Sequence, residues 1–258
     1  SGERDAIVFG SGKGGVGKSV LSVAVAREFA RAGKRTLLLD GAQNQGNLHI
    51  LLGVRPAAPL TALLAGDVTA ADLLVPVAPG LSLLPADSGA ETLYGLGAID
   101  RARLHHRLSG LYDRFDAVIV DGGPGLESVV RAAGIRASRL IVVTAPEPAA
   151  LSDAYALMKI CHLQLPSLAL EVMVNRVDAD EEGQAVHDRL RLATQRFLHR
   201  DIGYLGCLHE QEALRLAARR PGAMLETEVE GIGTIVARLL SPSDQVPSEG
   251  METRGIAS

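Results

Sequence analysis

No stretch of this chain is apolar for long enough to cross a bilayer, and no secretory leader is visible, so neither a membrane-spanning nor an exported protein is expected. Cysteine is scarce. Cys161 and Cys207 stand in unrelated surroundings, which excludes a disulfide framework and fits a reducing cytoplasm. Both read as small buried hydrophobes rather than reactive thiols. A strong charge of either sign is also lacking. The 26 basic and 30 acidic residues leave a formal net charge of −4, so overall electrostatics give no reason to expect DNA or RNA as the main partner. There is no internal repeat, and no linker splits the body. One domain over residues 5–240 is expected, followed by a polar stretch, Ser241 to Ser258, that reads as a disordered tail.

Apolar residues, by contrast, make up 47% of the 258 positions, enough to bury a sizeable core. They fall into short unbroken runs separated by helical periodicity. Ala6 to Phe9, Thr36 to Leu39, Leu81 to Leu84, Ala117 to Val120, Arg139 to Thr144, Leu168 to Val174 and Ile202 to Leu205 read as strands. Between them, helices are expected over Gly17–Ala32, Leu60–Ala65, Ala70–Leu74, Ala90–Leu111, Pro148–Leu163, Glu181–His199, Glu210–Arg219 and Glu228–Leu240. Alternation of this kind predicts an α/β fold, a single-domain, doubly wound, mostly parallel sheet flanked by helices. Its ligands would sit beyond the carboxyl ends of the strands.

The chemistry is concentrated where the first strand meets the first helix. Ser11-Gly12-Lys13-Gly14-Gly15-Val16-Gly17-Lys18-Ser19-Val20 contains GxxxxGK[ST] in full, from Gly12 to Ser19. The glycines let successive amide groups curl around phosphate oxygens, Lys18 reaches the outer phosphates, and the Ser19 hydroxyl is placed to ligate Mg²⁺. The positive end of the helix adds to the same anion site. Two strands end in a carboxylate at that edge of the sheet, Asp40 and Asp121, and Gly122-Gly123-Pro124-Gly125 follows the second. Both aspartates suit the water shell of a nucleotide-bound Mg²⁺, and the glycine turn suits a sensor of the γ-phosphate. Asp121 as the cap of a following helix is the alternative. His105 and His106 point to different sides of a helix and make a poor metal pair.

With these residues placed, the sequence resembles the MinD/ParA class of P-loop ATPases, whose phosphate loop reads KGGVGK[ST] with an additional lysine, here Lys13. Within the class it is similar to the flagellar regulators FlhG, FleN and YlxH. The similarity runs from about Ala6 to Leu240 and includes Leu37 to Asp40, Gly46-Asn47-Leu48, Leu51-Leu52-Gly53, Pro146-Glu147-Pro148, Ser152 to Leu157, Glu182-Gly183, Arg196 to Leu198 and Tyr204-Leu205-Gly206. The resemblance implies an ATP- or ADP-binding protein that dimerises around ATP, with Lys13 crossing to the partner's phosphates much as an arginine finger does. It also implies that Asn175 and Arg176 contact adenine. The expected catalytic set is therefore Lys13, Lys18, Asp40 and Asp121.

The sequence departs from the family in four places. The second strand usually ends Asp-x-Asp, and the second carboxylate positions the attacking water; here the run is Asp40-Gly41-Ala42. His209 and Gln211 replace the family's proline and aspartate near the base pocket. The polar tail carries no counterpart of the family's membrane-binding amphipathic helix. The residues ahead of Ala6 carry no counterpart of the extension that engages the GTPase FlhF in many relatives.

Three functions stay open at this level. The first is an ATPase switch acting on a protein effector, which for flagellar regulators is a σ54-dependent transcriptional activator or an FlhF-like GTPase. The second is a nucleotide-stabilised scaffold with slow turnover. The third is a partition or cellulose-secretion ATPase, for which Arg189, Arg191, Arg196, Arg200, Arg215, Arg219 and Arg220 would form a basic surface, although arginines at irregular spacing are more often a solvated face.

Overall fold

Short apolar runs cannot satisfy their backbone polar groups alone, and here they do so side by side in one sheet. The computed structural model describes residues 6–41, 48–58, 62–66, 68–85, 98–123, 125–126, 129 and 137–241. Its strands are β1 (Ala6–Gly10), β2 (Thr36–Asp40), β3 (Val75–Ala78), β4 (Leu81–Leu84), β5 (Ala117–Asp121), β6 (Ala137–Thr144), β7 (Ala169–Val177) and β8 (Gly203–His209). They are ordered β3-β4-β2-β5-β1-β6-β7-β8. All neighbours are parallel except the edge pair β3 and β4.

The helices are α1 (Lys18–Arg31), α2 (Leu48–Leu51), α3 (Ala62–Ala65), α4 (Ala98–Tyr112), α5 (Pro148–Gln164), α6 (Asp180–Leu198), α7 (Glu212–Ala217) and α8 (Ile232–Leu240), with a 3₁₀ turn at Ala223–Leu225. Alternate strand residues feed two cores. Val8, Leu37, Val120, Leu140 and Val172 face Leu108 and Leu111 of α4, Leu157 and Cys161 of α5 and Val186 of α6. Phe9, Leu38, Ile119, Ile141 and Met173 face Leu21 and Val25 of α1, Leu214 of α7 and Ile235 of α8. Both faces of the sheet are covered, which is why its strands read as continuous apolar runs.

β1 lies between β5 and β6, so the chain leaves the sheet centre at Gly10 with neighbouring strand ends on either side. Such a crevice is where a doubly wound sheet takes its ligand.

Several expected boundaries move. Ala70 to Leu74 is a turn rather than a helix: the amides of Asp72 and Leu74 bond three residues back, to Thr69 O and Ala71 O at 3.1 and 3.2 Å. The Asp72 carboxylate accepts the Thr69 amide and hydroxyl at 2.8 and 2.7 Å, which fixes the start of the turn. The last helix begins at Ile232 rather than Glu228, at Gly231 with φ 81°, a left-handed start that glycine takes freely. β8 runs on to His209 and β7 to Val177, and β3 is an additional strand. Of the helix expected over Ala90–Leu111, residues 90–97 lie outside the described residues. So do Leu60, Thr61 and the tail from 242 to 258.

Cys161 is buried and its thiol is pushed up to about 11 by that burial, and Cys207 is likewise raised. Neither is an activated thiol.

Candidate functional site

The loop after β1 is held by close packing on both sides. A Cβ on Gly12 would overlap the Asp153 carbonyl of α5, and one on Gly17 would come within 2.5 Å of Asn175 Nδ2. Gly15 and Gly17 take φ 83° and 95°. On the outer side, nothing lies within 4 Å of where a Cβ of Gly14 or Gly15 would be. The loop therefore has a packed inner wall and an open mouth.

Gly17 is the N-cap of α1. It provides no side-chain cap, and no acidic residue stands in the first turn. The amides at the start of a helix have no intrahelical acceptor, so this end offers N–H donors and a positive dipole to an anion from outside.

Lys18 is 8% exposed and Asp121 3%. The ammonium is bonded to Asp121 Oδ1 and lies 3.4 Å from Ser19 Oγ. Asp40, also buried, stands beside Asp121 in register and accepts the Leu48 amide at 3.1 Å where α2 begins. The strand ends are tied together by Gly41 N–H to Asp121 O and Gly122 N–H to Phe9 O, each 2.8 Å. A Cβ on Gly122 would lie 2.7 Å from Phe9 O, so no side chain fits beside β1.

Ser19, half-buried, completes a set of one ammonium, one hydroxyl and two carboxylates. This set fits a phosphate group carrying a divalent cation. Among the described residues, no cluster of three His, Cys, Asp or Glu would hold a metal by itself. Mg²⁺ fits here only with the phosphates and water as its other ligands.

The lysine specific to the loop, Lys13, is 37% exposed and ion-paired with Glu147 of the same chain. That contact, helped by the charge of Arg176, holds the Glu147 carboxyl below its usual range. Glu147 immediately precedes α5 in a Pro-Glu-Pro turn at the loop's edge of the sheet, and that position was the available sequence signal for it.

Asn175 is tied to the phosphate loop. Its amide donates to Val16 O at 2.9 Å, tying β7 to the phosphate loop. Arg176, exposed and at φ 61°, follows at a bulge in β7. At the end of β8, Gln211 exchanges two hydrogen bonds with the Glu230 backbone, at 2.9 and 3.1 Å. His209 Nε2 meets Asp180 Oδ1 at 2.9 Å. Gly46, Asn47 and Pro124 lie outside the described residues, as does Ala42.

Replacing Asn175 by alanine leaves the buried Val16 carbonyl without its partner and is expected to weaken ADP binding about fivefold to tenfold while lowering stability by about 1–3 kcal/mol. Calorimetric titration against a thermal melt checks this. An affinity equal to that of the unmutated chain would show that the loop needs no such tie.

A phosphate loop at the end of the central strand of a doubly wound sheet, with an extra lysine at its lip, defines a P-loop ATPase of the MinD/ParA kind. Residues 4–166 match the family described as AAA domain. The chain is 31% identical to the antiactivator FleN of Pseudomonas aeruginosa over 215 residues, 83% of this chain and 77% of FleN. It is 28% identical to the flagellum site-determining protein YlxH of Helicobacter pylori over 257 residues, 96% and 87% of the two chains. Among solved structures, MinD of Pyrococcus horikoshii complexed with Mg-ADP superposes with a TM-score of 0.72 at 22% identity, covering 92% of this chain and 96% of that one. The chain belongs to the MinD/ParA class of P-loop ATPases, and within it is similar to the flagellar proteins FleN and YlxH.

Proposed function

We propose that this protein is an ATP-dependent dimerising switch that regulates flagellar number or placement, or a related spatial or transcriptional process, through a protein effector. The observation that carries the reading is the uncapped start of α1, with buried Lys18 bonded to Asp121, half-buried Ser19 beside it and Asp40 next to Asp121 in the sheet. In this reading the Gly12–Val20 loop binds the phosphates of ATP or ADP, and Ser19, Asp40 and Asp121 hold Mg²⁺ and its waters. Bound Mg²⁺ would neutralise charge on the β- and γ-phosphates. Lys18 passes from Asp121 to the phosphates, and Asn175 and Arg176 border the base. Lys13 leaves Glu147 for the phosphates of a second copy, so ATP closes a homodimer that hydrolysis reopens.

A catalytically weak scaffold is the second reading, favoured by Ala42 in place of the family's carboxylate. A DNA-binding role is less favoured, because Arg191 is held by Asp201, Arg215 by Glu212, and Arg200 donates to Leu168 O. Action in the cytoplasm, reaching a pole or membrane through the partner, belongs to the same reading. No helix among the described residues is long and apolar enough to cross a membrane.

Light scattering after size exclusion tests the switch. The unmutated chain should be a dimer with ATP and Mg²⁺ and a monomer with ADP, and Lys13→Ala should remain monomeric with ATP while still binding ADP. A Lys13→Ala chain that dimerises with ATP as the unmutated one does would refute the role given to Lys13.

A further inference from the structure

Beside the nucleotide site, two distant segments meet and leave a surface that the nucleotide chemistry does not use. The Gly222 amide donates to Leu51 O at 3.0 Å, and a Cβ on Gly53 would lie 2.9 Å from Gly222 N. This contact brings the end of α2 against the turn after α7, and behind it the chain is anchored. Arg27 of α1, 3% exposed, donates to Met224 O and Thr227 O at 2.5 Å each.

The two elements that meet here each carry an exposed apolar side chain, Ile50 of α2, 54% exposed, and Leu216 of α7, 48% exposed. Arg55 follows the Gly53 contact by two residues, and Arg219 and Arg220 precede Gly222 by three and two; all are exposed, and none has a carboxylate partner among the described residues. Glu212 is paired with Arg215 and Glu228 with Arg31, so neither carboxylate serves these arginines. In a chain of net charge −4 this is a local positive region with two apolar side chains in it.

We propose that the α2–α7 junction is a docking surface for an acidic, amphipathic segment of a partner protein, with Ile50 and Leu216 as apolar anchors and Arg55, Arg219 and Arg220 pairing with its carboxylates. Unpaired arginines around exposed apolar side chains are the composition of a protein interface, with charge supplying steering and register. A nucleic-acid site would need the arginines but not the apolar pair. The proposal deepens the switch reading by naming where the effector sits. α2 begins at Leu48, whose amide is bonded to Asp40 at the end of β2, so one hydrogen bond links the helix carrying Ile50 to a carboxylate of the nucleotide site.

The test uses a fluorescein-labelled helical peptide with glutamate on one face and leucine on the other, and separately a nonspecific DNA duplex. Fluorescence anisotropy is read on the full chain. Peptide affinity should fall at least about tenfold in Arg219→Glu/Arg220→Glu and again in Ile50→Ser/Leu216→Ser. Melting temperature and binding of a fluorescent ADP analogue should be unchanged in both.

No peptide binding, or binding untouched by either pair of substitutions, overturns the proposal. So does a duplex that binds more tightly than the peptide and loses affinity only on charge reversal. If the peptide result holds while the unmutated chain ignores the ADP analogue, the surface stands and the nucleotide reading alone fails.

Discussion

Lys18→Met is expected to abolish detectable nucleotide binding and to lower folding stability by about 3–5 kcal/mol, the usual cost of leaving one partner of a buried ion pair alone. Lys18 and Asp121 are each almost wholly buried and bonded to one another, so removing the ammonium strands a carboxylate under α1. The two losses have different origins and separate in the double variant. Lys18→Met with Asp121→Asn removes the stranded charge and should recover much of the stability, because a neutral pair no longer demands a counter-charge. It should not recover binding, since the phosphates would still lack their cation. Urea denaturation and ADP titration on the unmutated chain and the two variants decide this. Recovery of nucleotide affinity in the double variant would mean that Lys18 serves only to balance Asp121.

Ala42→Asp is expected to accelerate single-turnover phosphate release by about 10²–10⁴-fold, the range a positioned general base typically contributes. A methyl group neither orients a water molecule nor takes its proton, and Asp40, two residues earlier, is already engaged with the start of α2. If release from the unmutated chain is measurable and the substitution leaves it unchanged, another group orients the water, and the scaffold reading is removed. Nucleotide affinity should be nearly the same in both chains, because the carboxylate would act on the attacking water rather than on binding.

Much of the sheet was legible because both of its faces are buried, leaving unbroken apolar runs at β1, β2, β5 and β6. α1 and α5 followed from period and from their signals, a glycine start in one and Pro148 at the first turn in the other. β3 was not legible, because Val75-Pro76-Val77-Ala78 carries a proline, which a sheet tolerates at an edge or a bulge, and β3 has both. β8 runs past the expected end at Leu205, because Gly206 at φ 134° stays in the strand and lets Ile235 of α8 approach.

At the site, the loop and the strand-end aspartates could be named from local sequence alone. Their pairings could not. Lys18 with Asp121, Lys13 with Glu147 and Asn175 with Val16 each join residues more than a hundred positions apart, and only the folded sheet brings their strand ends together.

The central claim is that the uncapped head of α1 grips a magnesium-bound adenine nucleotide. Isothermal titration of the purified chain with ADP, with and without Mg²⁺, tests it most directly. The account predicts one site per chain, tightened by Mg²⁺ and lost in Lys18→Met/Asp121→Asn. A flat titration with both ADP and ATP, from a chain whose thermal melt shows it folded, would contradict it.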